Sequence, residues 1–203
     1  MSQKGKVAIG FSNFIVADAT VTNGAYVFSD PLDFARAVEL SISPDSATDS
    51  SDFQADDHTV ESEGGDTFSG GTLNLTADEC NLAAKRFAFG LPAAAENGEI
   101  AYGNSQRIPY IACGYLVKWL CEGVKSWTYV IHPRIKFNQR EQNFKTQPAG
   151  SVEYNTSSYT AKIFRGRDTN ENWKIALEDE DYDTEAGAYA ALMSRLGYVA
   201  PTP

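Results

Sequence analysis

The sequence predicts a mainly β fold with some α, an antiparallel β-sandwich or barrel-like core in a single domain over residues 1–203. Two long runs of β-type residues, 110–121 and 127–138, and a more polar third, 151–165, carry that reading. Turn signals at Asn23-Gly24, Asn97-Gly98 and Gly103-Asn104 punctuate the chain, and only about 77–89 and 184–196 show helical spacing. Chains of this length that are all or mostly β commonly form one domain.

In order, 7–16 is an apolar strand kinked by Gly10, Ser12 and Asn13, and Asn23-Gly24 turns it back into 25–28. A strand over 34–42 follows, with Phe34, Val38, Leu40 and Ile42 in step, and Pro44 ends it. Residues 44–66 then form a long acidic loop. It holds Asp45, Asp49, Asp52, Asp56, Asp57, Glu61, Glu63 and Asp66 with no Lys or Arg, and Phe53 and Val60 are its only large apolar groups. Such a stretch repels itself and buries little, so the loop is expected to be mobile.

Residues 67–75 read as a strand with a bulge at Gly70-Gly71, and Thr76-Ala77-Asp78-Glu79 as a capping box opening a helix. Cys80, Ala83, Ala84 and Phe87 give that helix its apolar face, with Lys85 and Arg86 in the last turns and Gly90 as its close. A short strand over 99–102 leads into the central hairpin. Beyond the third long run, Trp173, Ile175 and Leu177 suggest a short strand. Tyr189, Leu192, Met193 and Leu196 then define a terminal amphipathic helix closed by Gly197, and 198–203 form a loose tail.

The central hairpin has the clearest pattern. On its second run Trp127, Tyr129, Ile131, Ile135 and Phe137 alternate with Thr128, His132, Arg134, Lys136 and Asn138, which predicts a strand with one wet side. On its first run Ile111, Cys113, Tyr115, Val117, Trp119 and Cys121 share a face, and Ala112, Leu116 and Leu120 on the other suggest cover on both sides. If the two odd faces share a core, the loop 122–126 places Cys121 opposite Trp127.

The net charge of -10 is uneven: residues 1–103 carry -11, 104–177 carry +6 and 178–203 carry -5. That argues against a protein gripping nucleic acid over a broad surface, though not against one that lets it pass. Cys80, Cys113 and Cys121 have neither an even count nor CxxC spacing, so they read as core residues made under reducing conditions. No signal peptide or membrane span is expected.

No catalytic set emerges. His58 and His132 are the only histidines, and nothing around Cys113 or Cys121 resembles a strained nucleophile turn. Asp56-Asp57-His58 matches neither an EF-hand nor a zinc helix, and Gly64-Gly65 and Gly70-Gly71 lack the lysine and helix of a phosphate loop. The chain is read as a non-enzyme with no cofactor and no metal.

The arrangement resembles that of the major tail protein, the tail tube protein of long-tailed, non-contractile phages. The matching parts are Val38-Glu39-Leu40-Ser41-Ile42-Ser43-Pro44, the acidic loop after it, and the strand 72–75 running into the capped helix. Next come the hairpin from Tyr110-Ile111-Ala112-Cys113-Gly114-Tyr115 through Trp119 to Pro133-Arg134, then 160–165, Trp173 and the short terminal helix, so that residues 6–197 are covered. Residues 23–33 and the tail 201–203 do not match. The resemblance implies a structural virion protein: hexameric rings of a β-sandwich or barrel-like subunit, stacked into a tube through which DNA is ejected, with strands of each subunit joining into one lumen-lining barrel.

The resemblance further implies assembly in the host cytoplasm and residence in the virion tail. The implied partners are other copies, the tape measure protein, terminator or baseplate proteins, and double-stranded DNA passing without specific contact, with no membrane insertion. A long loop reaching the adjacent ring assigns Asp45, Asp49, Asp52, Phe53, Asp56, Asp57, Glu61 and Glu63 to inter-ring assembly. Thr128, His132, Arg134, Lys136 and Asn138 become the candidate lumen face, and the carboxylates a means of repelling DNA phosphates. A different reading is a β-sandwich carbohydrate-binding or adhesion module with exposed Tyr and Trp and calcium in the acidic loop. It predicts a monomer or dimer stabilised by calcium.

Overall fold

In the computed structural model, β1 (Val7–Thr22) and β2 (Ala25–Ala35) form the hairpin that Asn23-Gly24 announces, with Thr22 opposite Ala25. Both turn residues are left-handed, at φ 53° and 75°, the two-residue turn whose twist suits paired strands. The structure describes residues 5–46, 51–55, 58–63, 67–103, 106–139, 156–178 and 180–199, with backbone alone for 51–55 and 58–63.

After Arg36 alone, the chain continues as β3 (Ala37–Ser46). The expected single strand over 34–42 is therefore two strands meeting at a corner. Nor does Pro44 end β3, which runs on to Ser46. Pro44 is tolerated because β3 lies at a sheet edge, where a ladder bond is needed on one side only.

β6 (Phe68–Ala77), β7 (Ile111–Cys121), β8 (Val124–Phe137) and β9 (Ser157–Ile163) complete an antiparallel path in the order β2-β1-β7-β8-β9-β6-β3, and β10 (Ile175–Ala176) lies beside β8. Its two end strands, β2 and β3, are one residue apart in the chain. The sheet must therefore curl until its edges meet at Arg36, giving the mainly β, barrel-like core expected. Asp78 holds the corner: its Oδ1 accepts from the Arg36 backbone N–H (2.8 Å), its Oδ2 pairs with Arg36 Nε (2.5 Å), and its own N–H donates to the Arg36 carbonyl (3.1 Å).

Within the acidic stretch the chain forms β4 (Ser51–Ala55) and β5 (His58–Glu63), a separate two-stranded sheet, where a structureless loop was expected. β6 carries its bulge at Ser69, beside Gly70-Gly71. Residues 99–102 form no strand among the described residues; Ala95 and Glu99 instead close a turn.

The curled sheet encloses one core. Phe34 stacks on Phe137 (5.2 Å) and meets Tyr159 edge-on (5.1 Å), with Phe14, Leu73, Leu75, Ile111, Ile135 and Ile163 around them. The helix α1 (Leu82–Phe89) packs Ala84, Ala88 and Phe89 against this core, and Gly90 closes it at φ 60° as expected. The expected capping box is not formed. Thr76 and Ala77 stay in β6, paired with β9, so the helix starts later with Asn81 as N-cap, its side chain accepting from Ala84 N–H (2.8 Å).

A second core lies outside the sheet. There α2 (Glu185–Arg195) sets Ala188, Leu192 and Leu196 against Ile15, Ala17, Ala112, Leu116 and Ile131. Thr184 caps this helix and Gly197 (φ 82°) follows it, so the terminal helix stands as the spacing predicts. The tail 201–203 lies outside the described residues.

Candidate assembly surface

The β7–β8 register decides which side chains are wet. Cys121 pairs with Val124 across a two-residue turn, Glu122-Gly123, with φ 49° and 85°, so the expected loop 122–126 and the Cys121–Trp127 pairing are wrong. Trp127 stands opposite Lys118, and the odd face of β7 shares its side with the even face of distal β8: Tyr115 with Val130, Cys113 with His132.

A bulge then changes the phase. Ile111 pairs with Ile135 but Cys113 with His132, so β8 gains one residue at Pro133–Arg134. Before it, Val130 faces the inner core and Ile131 faces α2; after it, Ile135 and Phe137 face the inner core. The single wet side expected over 127–138 does not exist.

Two residues of that face are therefore interior. His132 is 1% and Thr128 2% exposed. Thr128 Oγ1 accepts from Trp119 Nε1 (2.8 Å). His132 lies between the Tyr115 and Trp173 rings, at 6.1 and 5.8 Å, with Nδ1 3.1 Å from the Trp173 carbonyl and no partner on Nε2 among the described residues. Burial pushes its pKa down to about 4, with Lys174 acting in the same direction and the Trp173 carbonyl opposing. Burial also pushes the Cys113 thiol up, away from nucleophilic use.

Arg134 and Lys136 are half-exposed and Asn138 is exposed, and they belong to a broader surface. Because Ile135, Phe137, Ala161, Ile163, Leu73 and Leu75 point inward, their alternates form an outer face across β8, β9, β6 and β3. Its rungs are Lys136-Lys162-Thr72-Ser43, then Thr160-Asn74-Ser41, then Ser158-Thr76-Glu39. Thr160 Oγ1 bonds Asn74 Oδ1 at 3.0 Å. No large apolar side chain interrupts these rungs.

Both ends of the sheet path offer open backbone. Residues 7–12 of β1 pair with β7, while β2 joins β1 only from Phe14 onward; β3 pairs with β6 and has no other partner strand among the described residues. Val7 and Val38, each 65% exposed, and Ile9 mark these edges.

Of the residues assigned to inter-ring assembly, Asp45 is exposed and belongs to β3; the backbone of Asp52 and Phe53 belongs to β4 and that of Glu61 and Glu63 to β5; Asp49, Asp56 and Asp57 lie outside the described residues. Among the described residues no group of three or more His, Cys, Asp or Glu could hold a metal, and no helix is long and apolar enough to cross a membrane. The cation-rich cluster around Tyr110 was missed from sequence. Arg134 Cζ lies 4.4 Å and Lys136 Nζ 5.3 Å from the Tyr110 ring centre, and Phe164 meets Tyr110 edge-on at 5.2 Å. The crowding of Lys and Arg in 104–177 was the available signal.

No protein-family model matches this chain, and no curated protein matches it.

Proposed function

We propose that this chain is a structural subunit that assembles with copies of itself into a tube, in the manner of a phage tail tube protein. The observation that carries this reading is the four-stranded polar outer face beside strand edges that lack partners. Apart from Lys136, Lys162 and Glu39 its rungs are hydroxyls and an amide, and such a surface suits the wall of a channel, because it holds water and gives passing DNA little apolar surface to stick to. The open edges at 7–12 and 38–46 suit strand pairing between copies, which satisfies the free backbone groups and covers Val7, Ile9 and Val38.

The channel wall in this reading is the β8-β9-β6-β3 face. It is not the alternation first seen on β8, and it is hydroxyl-rich where carboxylates were expected. Hexameric rings, a place in the virion tail, and contacts with a tape measure protein and with terminator or baseplate proteins follow from the resemblance and belong to the proposal. The carbohydrate-binding reading gains nothing from the tryptophans. Trp173 stacks on Phe68 (4.3 Å), Trp119 bonds Thr128, and Trp127 lies within the second core, so none forms an open sugar platform.

Negative-stain electron microscopy of the concentrated protein tests the proposal. Rings or tubes that persist in a calcium chelator are expected; isolated particles that bind a sugar overturn it. Deleting residues 46–63 is expected to leave a folded chain that does not polymerise, and tubes of normal length from that deletion remove the acidic segment from assembly.

A further inference from the structure

Acidic groups outnumber basic ones in this chain, 27 Asp and Glu to 17 Lys and Arg. Cations of the described surface accordingly find carboxylates: Lys6 pairs with Asp181 (2.6 Å), Arg36 with Asp78 (2.5 Å), Lys85 with Glu79 (3.2 Å), Arg165 with Glu171 (3.2 Å) and Lys174 with Glu178 (3.3 Å). One group does not. Arg134 and Lys136 share the Tyr110 ring, at 4.4 and 5.3 Å from its centre, and Lys162 stands directly opposite Lys136. No described carboxylate lies within ion-pair distance of these three or of Arg167. Like charges gathered this way repel one another, a cost that a bound anion offsets.

The cluster borders a hollow of about 340 Å³ beside the Pro133–Arg134 bulge, beyond the Lys136-Lys162 rung. Arg134, Arg167, Tyr110 and Tyr26 line it together with residues 19–21 of β1, so its lining holds two arginines and no acid. Both arginine positions are held in place. The Arg134 guanidinium lies against the Tyr110 and Phe164 rings and donates to the Arg165 carbonyl (3.3 Å). The Arg167 N–H donates to Tyr26 Oη (2.8 Å), which ties that segment to β2. The adjacent Asp168 is buried and commits both carboxylate oxygens to Asn172, accepting from its N–H (2.8 Å) and its Nδ2 (2.5 Å).

We propose that this hollow binds a phosphoryl group, carried by a free phosphate ion or by a small phosphate monoester. The inference goes beyond assembly and holds for a single copy. One guanidinium fork fills the two oxygens of a carboxylate, whereas a terminal phosphoryl group has three and accepts from two guanidiniums at once. A DNA duplex fits less well, because a chain of net charge -10 repels a polyanion whose phosphates are spread along a convex backbone. The hollow has more room than a bare phosphate ion fills, and Val21, Tyr26 and Tyr110 offer apolar surface to an organic body, which favours the ester.

Isothermal titration calorimetry of the full-length chain at low salt tests this, with phenyl phosphate, inorganic phosphate, benzoate and a short DNA duplex without terminal phosphates as probes. Phenyl phosphate is expected to bind at one per chain. Arg134→Gln and Arg167→Gln are each expected to weaken it roughly tenfold, the effect of losing one charge-assisted hydrogen bond, with the fold retained in thermal melts. Lys125→Gln, which removes an exposed cation at the far end of β8, should leave binding unchanged. Inorganic phosphate binding much more weakly identifies the ester as the ligand, and equal binding identifies the ion; either result sustains the site. Absence of binding by both phosphates overturns the proposal. So does benzoate binding as tightly as phenyl phosphate, a Lys125→Gln loss equal to that of the arginine variants, or a duplex that binds more tightly than phenyl phosphate and displaces it, which makes the cluster a nucleic-acid backbone contact.

Discussion

The two halves of β8 differ more than their sequence suggests. In the distal half, even-numbered Thr128, Val130 and His132 face the inner core while odd-numbered Trp127, Tyr129 and Ile131 face α2, so both sides are covered. In the proximal half, odd-numbered Ile135 and Phe137 face the inner core, and Lys136 faces outward. One extra residue at Pro133 separates the halves. A polar residue in an alternating run therefore identifies a wet face only while the ladder keeps its phase.

The sharpest way to break this contrast is at Phe137, which stacks on Phe34 and touches Phe89 at 5.4 Å. Phe137→Ala is expected to cost about 4 kcal/mol in denaturant unfolding, with loss of the inner core. A cost under about 1 kcal/mol contradicts the assigned phase of the proximal half.

The distal half is tested by pH. Folded His132 titrates at about 4, below its ordinary 6.5, so the unfolded chain binds this proton more readily. Stability from this group is complete above pH 6.5 and declines as pH falls toward 4, by roughly 3 kcal/mol in all. Urea melts of the natural chain and of His132→Phe across that window should converge or cross; parallel pH dependences place His132 in water.

Gly114, opposite Ile131, probes the side that faces α2. A Cβ there meets Leu192 Cδ1 at 2.8 Å and Leu196 Cδ1 at 3.3 Å. Gly114→Ala should cost about 2 kcal/mol and show first as loss of amide protection in α2, measured by hydrogen exchange. The smallest effect belongs to the outer face. Arg134→Ala removes the contact with Tyr110 at a cost of about 0.5 kcal/mol in thermal melts, because a half-exposed cation on a ring contributes little.

These contrasts explain what could be read from the chain. The Asn23-Gly24 hairpin, the Gly90 close and the amphipathic terminal helix were legible because each is decided by residues within a few positions of one another. Glu122-Gly123 was not, since glutamate gives no sign of a left-handed conformation, and the choice of turn fixed the register of both long strands. Thr76 to Glu79 satisfies the local rule for a helix start, yet pairing of Ala77 with Ser157 keeps that stretch in the sheet. The polar outer face drew on four strands spread from 39 to 162, so no single window displayed it. Residues 45–66 were recognisable by charge alone, and their hairpin was not.

The corner at Arg36 has a kinetic consequence. The stave formed by 37–46 is seated only against 68–77, which is in turn seated against 157–163, so a ribosome must release most of the polypeptide before the cylinder can shut. Until then the nascent chain carries an unfinished rim. Such a molecule is better made quickly and closed late than left waiting among its own copies.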